Sequence, residues 1–123
     1  MQNKAKSSWA IANEFVKEDE LLNLAANRFY YALYQAAWWR NEQLRNPLTR
    51  QSDESYHAFV KRIVMSIANG NVNHEKILWK LKTLRIKADY KPVNVKRYEL
   101  QQYDIMQASQ LFKELLGIGE EHE

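Results

Sequence analysis

Cysteine is absent, which excludes disulfides and thiolate metal sites and leaves nothing that requires an oxidising compartment. Glycine occurs three times and proline twice in 123 residues, too few for the many tight turns of an all-β fold. No apolar run approaches the roughly 20 residues of a membrane span. The N-terminal stretch MQNKAKSSWAIANEF lacks the continuous apolar core of a signal peptide. The expectation is a cytoplasmic protein with no membrane partner. The linear sequence also shows no Gly-rich phosphate loop, no metal-ligand spacing and no Ser–His–Asp arrangement, so neither a metal nor a cofactor is expected.

What is plentiful is Leu, Ala, Lys, Glu, Gln and Arg, all good helix formers. The length suits one domain with one hydrophobic core. An all-α, four- to five-helix up-and-down bundle follows, with its core at about residues 8–116 and an acidic tail at 117–123. The first helix is expected from about Ser8 to Lys17, and the second from Asp19 to Arg45, where Pro47 disfavours further helix. The third starts near Ser52 or Asp53 as N-cap and stops near Gly70. Asn73 is the expected cap of the fourth, which ends before Pro92. The fifth covers Val95 to Leu116 and stops at Gly117.

The net charge is only +3, but its distribution is uneven. Lys76, Lys80, Lys82, Arg85, Lys87, Lys91, Lys96 and Arg97 crowd one segment, opposed there only by Asp89. Such a segment suits a nucleic-acid backbone or an acidic partner.

At about 100° per residue, the stripe of Leu21, Leu24, Ala25 and Ala32 places Arg28 on the inward face of the second helix. The opposite face, with Asn23, Asn27, Tyr30 and Tyr34, is then the solvent face, and Tyr30 and Tyr34 are candidate interface residues. On the fourth helix Arg85 lies with Ile77, Leu78, Leu81 and Leu84, and Asp89 follows close by. His57 shares a stripe with Val60, Val64 and Ile67. An inward arginine needs a carboxylate or several carbonyls, and Asp89, the one acid of the 76–97 segment, is expected to pair with Arg28, Arg85 or both.

The segments NRFYYALYQAAW, SYHAF and LRIKADY, followed by the terminal MQASQLFKELL, resemble the HEPN superfamily, in particular small bacterial and archaeal members found beside minimal nucleotidyltransferases. The matching positions are Arg28, Tyr31 and Ala32, then Arg85, Ala88, Asp89 and Tyr90. The resemblance implies a helical bundle that forms a homodimer. It also implies a place in a toxin–antitoxin or defence system, with a nucleotidyltransferase as candidate partner. Many members are metal-independent ribonucleases whose signature is an arginine, four to six residues, and a histidine. Here the position after Arg85 that should hold histidine is Tyr90, and Gln35 stands seven places after Arg28. The literal match from Arg50 to His57 is read as chance.

Three readings follow. The leading one is an RNA-, nucleotide- or partner-binding module using Arg28, Tyr31, Arg85, Asp89 and Tyr90 with the basic Lys80 and Lys87. The second is a metal-independent endoribonuclease with a variant site, His57 as the acid–base residue and Arg28 and Arg85 on the phosphate. The third is a structural adaptor docking through Tyr30 and Tyr34.

Overall fold

The computed structural model describes residues 2–68, 71–90 and 94–117. Five α-helices follow one another: α1 (Gln2–Phe15), α2 (Leu22–Gln43), α3 (Tyr56–Ala68), α4 (Val72–Tyr90) and α5 (Gln102–Leu116). Short 3₁₀ turns at Asp19–Leu21 and Arg97–Glu99 lead into α2 and α5. The fold is an all-α bundle, and among the described residues no helix is long and apolar enough to cross a membrane. The Gly70 stop, Lys91, Pro92 and tail residues 118–123 lie outside the described residues.

The helices begin where side chains satisfy their first N–H groups, and these are not all the expected residues. Ser55 caps α3, its Oγ accepting from the Ala58 N–H at 3.0 Å. Asn71 caps α4, its Oδ1 accepting from the Asn73 N–H at 3.0 Å. Ser52, Asp53 and Asn73 are therefore not the caps. The chain from Val95 does not enter α5 directly. Asp104 fixes the start of α5 by accepting from the Gln101 N–H at 2.8 Å. At the far end Gly117 adopts φ 72°, a left-handed conformation that costs a residue without Cβ little.

α2 is the axis of the bundle and touches each of the other four helices. Leu22, Ala25, Ala26, Phe29, Tyr30, Ala32, Leu33, Ala36 and Ala37 are buried along it. Its alanines let neighbours approach closely, and α1 contributes the equally buried Ala5 and Ala12. An aromatic bridge ties three helices together. Trp9 of α1 meets Phe29 edge-on at 5.1 Å and stacks on Phe112 of α5 at 4.5 Å. Trp38 packs against Phe59 at 5.1 Å, as core filler between α2 and α3.

This burial corrects the reading of α2. Arg28 is exposed, and Leu24 above it is 49% exposed. Tyr30, expected on the solvent face, is 1% exposed, and Tyr34 is half-buried. The buried arc is centred roughly a third of a turn away from Arg28. Alanine surrounds much of α2 and marks no single face, so the one-stripe reading had no strong anchor.

The connection from α2 to α3 is also held. Asn41 is buried, and its amide both donates to the Leu48 carbonyl and accepts from the Leu48 N–H, each at 2.9 Å. This backbone-like pairing clamps the turn that follows α2. Arg62 braces the other end of the connection with two bonds of 2.9 Å to the Glu54 carboxylate. That arginine holds the Glu54 carboxyl below its usual range.

Candidate functional site

Three helices bring a polar cluster together at one side of the core. α2 supplies Tyr30, the first turn of α3 supplies His57, and α4 supplies Arg85. The Tyr30 hydroxyl lies 2.6 Å from His57 Nδ1. Burial pushes the Tyr30 phenol pKa up, and the nearby Arg85 charge offsets this only in part. Tyr30 therefore stays a neutral phenol at physiological pH.

The His57 pKa is lowered by burial first, then by the positive charges of Arg85 and Lys82. Its place in the first turn of α3 acts in the same direction, because the N-terminal end of a helix disfavours a cation. A neutral imidazole facing a protonated phenol is best satisfied when Tyr30 donates to Nδ1. The second ring nitrogen then carries the proton.

His57 looks onto a cleft between α3 and α4 of about 280 Å³, whose lining includes Tyr30, Lys61, Glu75, Leu78, Trp79 and Lys82. Trp79 is 62% exposed, with the Lys82 ammonium 5.7 Å from its ring centroid. Lys61 reaches Glu75 at 3.6 Å. The cleft thus combines two ammonium groups, one carboxylate, an indole face and a fixed imidazole.

Arg85 lies behind this cleft. It is buried, and its guanidinium sits 5.4 Å from the Tyr31 ring, 5.8 Å from Tyr30 and 6.0 Å from Tyr90. It pairs with Asp89 at 3.5 Å, and Asn27 donates to the same carboxylate oxygen at 3.4 Å. Tyr31, Arg85, Asp89 and Tyr90 are therefore neighbours around one buried charge.

Arg28 is not among them. It lines a groove against α1, on the other side of α2 from Tyr30. The expected trio of His57, Arg28 and Arg85 does not converge within the chain, because Arg28 and Tyr30 point nearly oppositely around α2. The expected Asp89 pairing forms with Arg85. Arg50 instead lies over the Tyr56 ring at 4.4 Å.

The basic segment is partly neutralised from within. Lys80 pairs with the buried Asp104 at 2.9 Å, and Lys87 with Glu99 at 2.7 Å. Lys87 holds the Glu99 carboxyl below its usual range. Arg97 reaches Asp19 at 2.7 Å. Lys80 and Lys87, expected to meet a ligand, bind α4 to α5 and to the turn before it. Lys61 and Trp79 of the cleft were not singled out from sequence, and Lys82 entered only as one cation of the basic segment. A signal existed in Trp79, which falls on the opposite side of α4 from the Leu81 stripe.

Elsewhere, His74 is buried near the start of α4 and meets Glu114 of α5 at 2.5 Å. Among the described residues no three of His, Asp and Glu gather as a metal-binding group. Comparison of the chain with family models, curated proteins and solved structures finds no match in any of the three.

The electrostatics of His57 can be measured directly. In an NMR pH titration its ring is expected to titrate below the ordinary histidine value of about 6.5. Lys82→Gln is expected to move the midpoint up, because it removes a charge that opposes the imidazolium. The unfolded chain takes up this proton more readily than the folded one. Stability is therefore expected to decline as pH falls from about 6.5 to the lowered folded-state value. A midpoint at or above that of free histidine, unmoved by Lys82→Gln, would overturn this account.

Proposed function

We propose that the chain is a binding module for RNA or a nucleotide, and that the α3–α4 cleft is where the ligand sits. The observation that carries this reading is a neutral His57 ring, fixed by Tyr30, opening onto a cleft that also holds Lys61, Lys82 and the exposed indole of Trp79. An indole face accepts a base by stacking, and the two lysines suit a phosphate. Arg85, with Tyr31, Asp89 and Tyr90 around it, acts from behind by keeping positive potential at the cleft floor.

The HEPN-like residues support a wider setting, a cytoplasmic toxin–antitoxin or defence system with a nucleotidyltransferase as partner. The homodimer that the resemblance implies belongs to the same setting. Tyr30 is too deeply buried to serve as a docking residue, so an adaptor reading would rest on the half-buried Tyr34.

A second reading is favoured by the Tyr30–His57 bond itself. In its other tautomer, with Nδ1–H donating to the Tyr30 oxygen, the neutral imidazole has its second nitrogen free to act as a general base. In a metal-independent endoribonuclease it would take the proton of the ribose 2′-hydroxyl as that oxygen attacks phosphorus to form a 2′,3′-cyclic phosphate, and the imidazolium so formed would return the proton to the leaving 5′ oxygen. Lys82 would bear the developing charge in the place first assigned to Arg28.

Binding of a fluorescent oligouridylate, followed by anisotropy over a range of salt concentrations, tests the module. Affinity is expected to fall steeply with salt. Lys82→Glu is expected to weaken binding at least roughly tenfold and to reduce the salt slope by about one or more. Trp79→Ala is expected to cost about 1–3 kcal/mol. Salt-independent binding, or binding that neither substitution alters, would refute the cleft.

A further inference from the structure

Arg28 has no role in the α3–α4 cleft, yet it lies in a groove of its own. The groove runs between α1 and α2, has a volume of about 460 Å³, and takes its polar lining from Asn3, Lys4, Ser7, Ser8, Arg28 and Gln35. Two of these are cations, two are hydroxyls and two are amides. Among the described residues no carboxylate lines it.

Its floor is built rather than incidental. Ser8 is 5% exposed. With its amide nitrogen turned to α1, Gln35 donates to Ser8 Oγ at 2.8 Å, to the Lys4 carbonyl at 3.0 Å and to the Tyr31 carbonyl at 3.3 Å. Ser8 Oγ then accepts from Gln35 and keeps its own proton to donate. Lys4, Ser7 and Ser8 share a face because they stand three and four residues apart on α1. Opposite them Arg28 presents a planar fork of N–H donors, the geometry that recognises an oxyanion.

We propose that this groove is a phosphate-binding site, separate from the α3–α4 cleft. Arg28 and Lys4 supply the charge, and Ser7 and Ser8 supply hydroxyl donors. The phosphate is that of a nucleic-acid backbone or of a free ester, two sources with one chemistry. The site does not depend on the cleft's function. Arg28 lies about 200° around α2 from Tyr30, so the two can be tested apart.

The test is a titration of the isotopically labelled protein with inorganic phosphate at constant ionic strength, followed by amide NMR, and then with a short oligouridylate. Amide signals of Lys4, Ser7, Ser8 and Gln35 are expected to shift and saturate. Arg28→Gln, an exposed change that leaves the core intact, is expected to weaken phosphate binding at least roughly tenfold. His57→Ala is expected to leave it unaltered. An oligouridylate that binds the groove more tightly per phosphate identifies a backbone ligand, and equal binding identifies a free ester. Shifts that never saturate, that chloride reproduces, or that persist undiminished in Arg28→Gln overturn the proposal.

Discussion

Phe29→Ala is expected to destabilise the protein by about 3–5 kcal/mol, whereas Leu24→Ala on the same helix is expected to cost no more than about 0.5 kcal/mol. Phe29 is fully buried beneath Trp9, and truncation leaves a cavity that the stacked Trp9–Phe112 pair cannot fill without separating. Leu24 is half in solvent. Thermal unfolding followed by circular dichroism should show a fall of roughly 10–20 °C for Phe29→Ala and little change for Leu24→Ala. The reverse order would mean that α2 is turned with its Arg28 side inward, as the spacing of its leucines suggests. Both variants keep the net charge, so the comparison isolates burial.

Cleavage of a mixed RNA pool in EDTA separates the two readings of the α3–α4 cleft. If the wild-type chain cleaves, His57→Ala is expected to lower the rate by about 10²–10⁴, the range associated with losing a general acid or base. At saturating RNA, Arg28→Gln is expected to change the rate little, since Arg28 lies in the α1–α2 groove and not at His57. Tyr30→Phe is the finer probe. It removes the hydroxyl bonded to Nδ1 while keeping the ring, so the imidazole loses its fixed tautomer. Cleavage that survives His57→Ala would sink the ribonuclease. A wild-type chain that binds oligouridylate without cutting it leaves the binding module standing.

Much of the bundle was legible because large aliphatic side chains mark the buried faces, Val60, Ile63 and Val64 on α3 and Ile77, Leu78, Leu81 and Leu84 on α4. On α4 the Leu81 stripe correctly carried Arg85 inward and Asp89 beside it. The same arithmetic failed on α2, where alanines occupy the core without marking a direction and neighbours stand on several sides. A one-residue error in choosing a face there moves a side chain by about 100°, enough to exchange Arg28 for Phe29. Caps were misplaced by a few residues because Ser52, Asp53, Ser55, Asn71 and Asn73 all have capping chemistry. Only the backbone path selects among them. The Tyr30–His57 bond joins residues 27 apart in sequence, and the Lys80–Asp104 pair joins residues 24 apart. Nothing in local spacing announces such partners. The charge of the 76–97 segment misled for a related reason, since Asp19, Glu99 and Asp104 answer it from other parts of the chain.

The central position of α2 has a consequence for how this chain can be divided. Each of the other helices leans on it, so removing any one uncovers apolar surface that the remainder has no means to hide. A cut in the exposed connection between α2 and α3 would leave an α1–α2 hairpin with a bare flank and an α3–α5 remnant without its axis. Neither piece is a folding unit, yet each is the natural complement of the other. The molecule should therefore behave as one cooperative body whose halves regain their order only by meeting again.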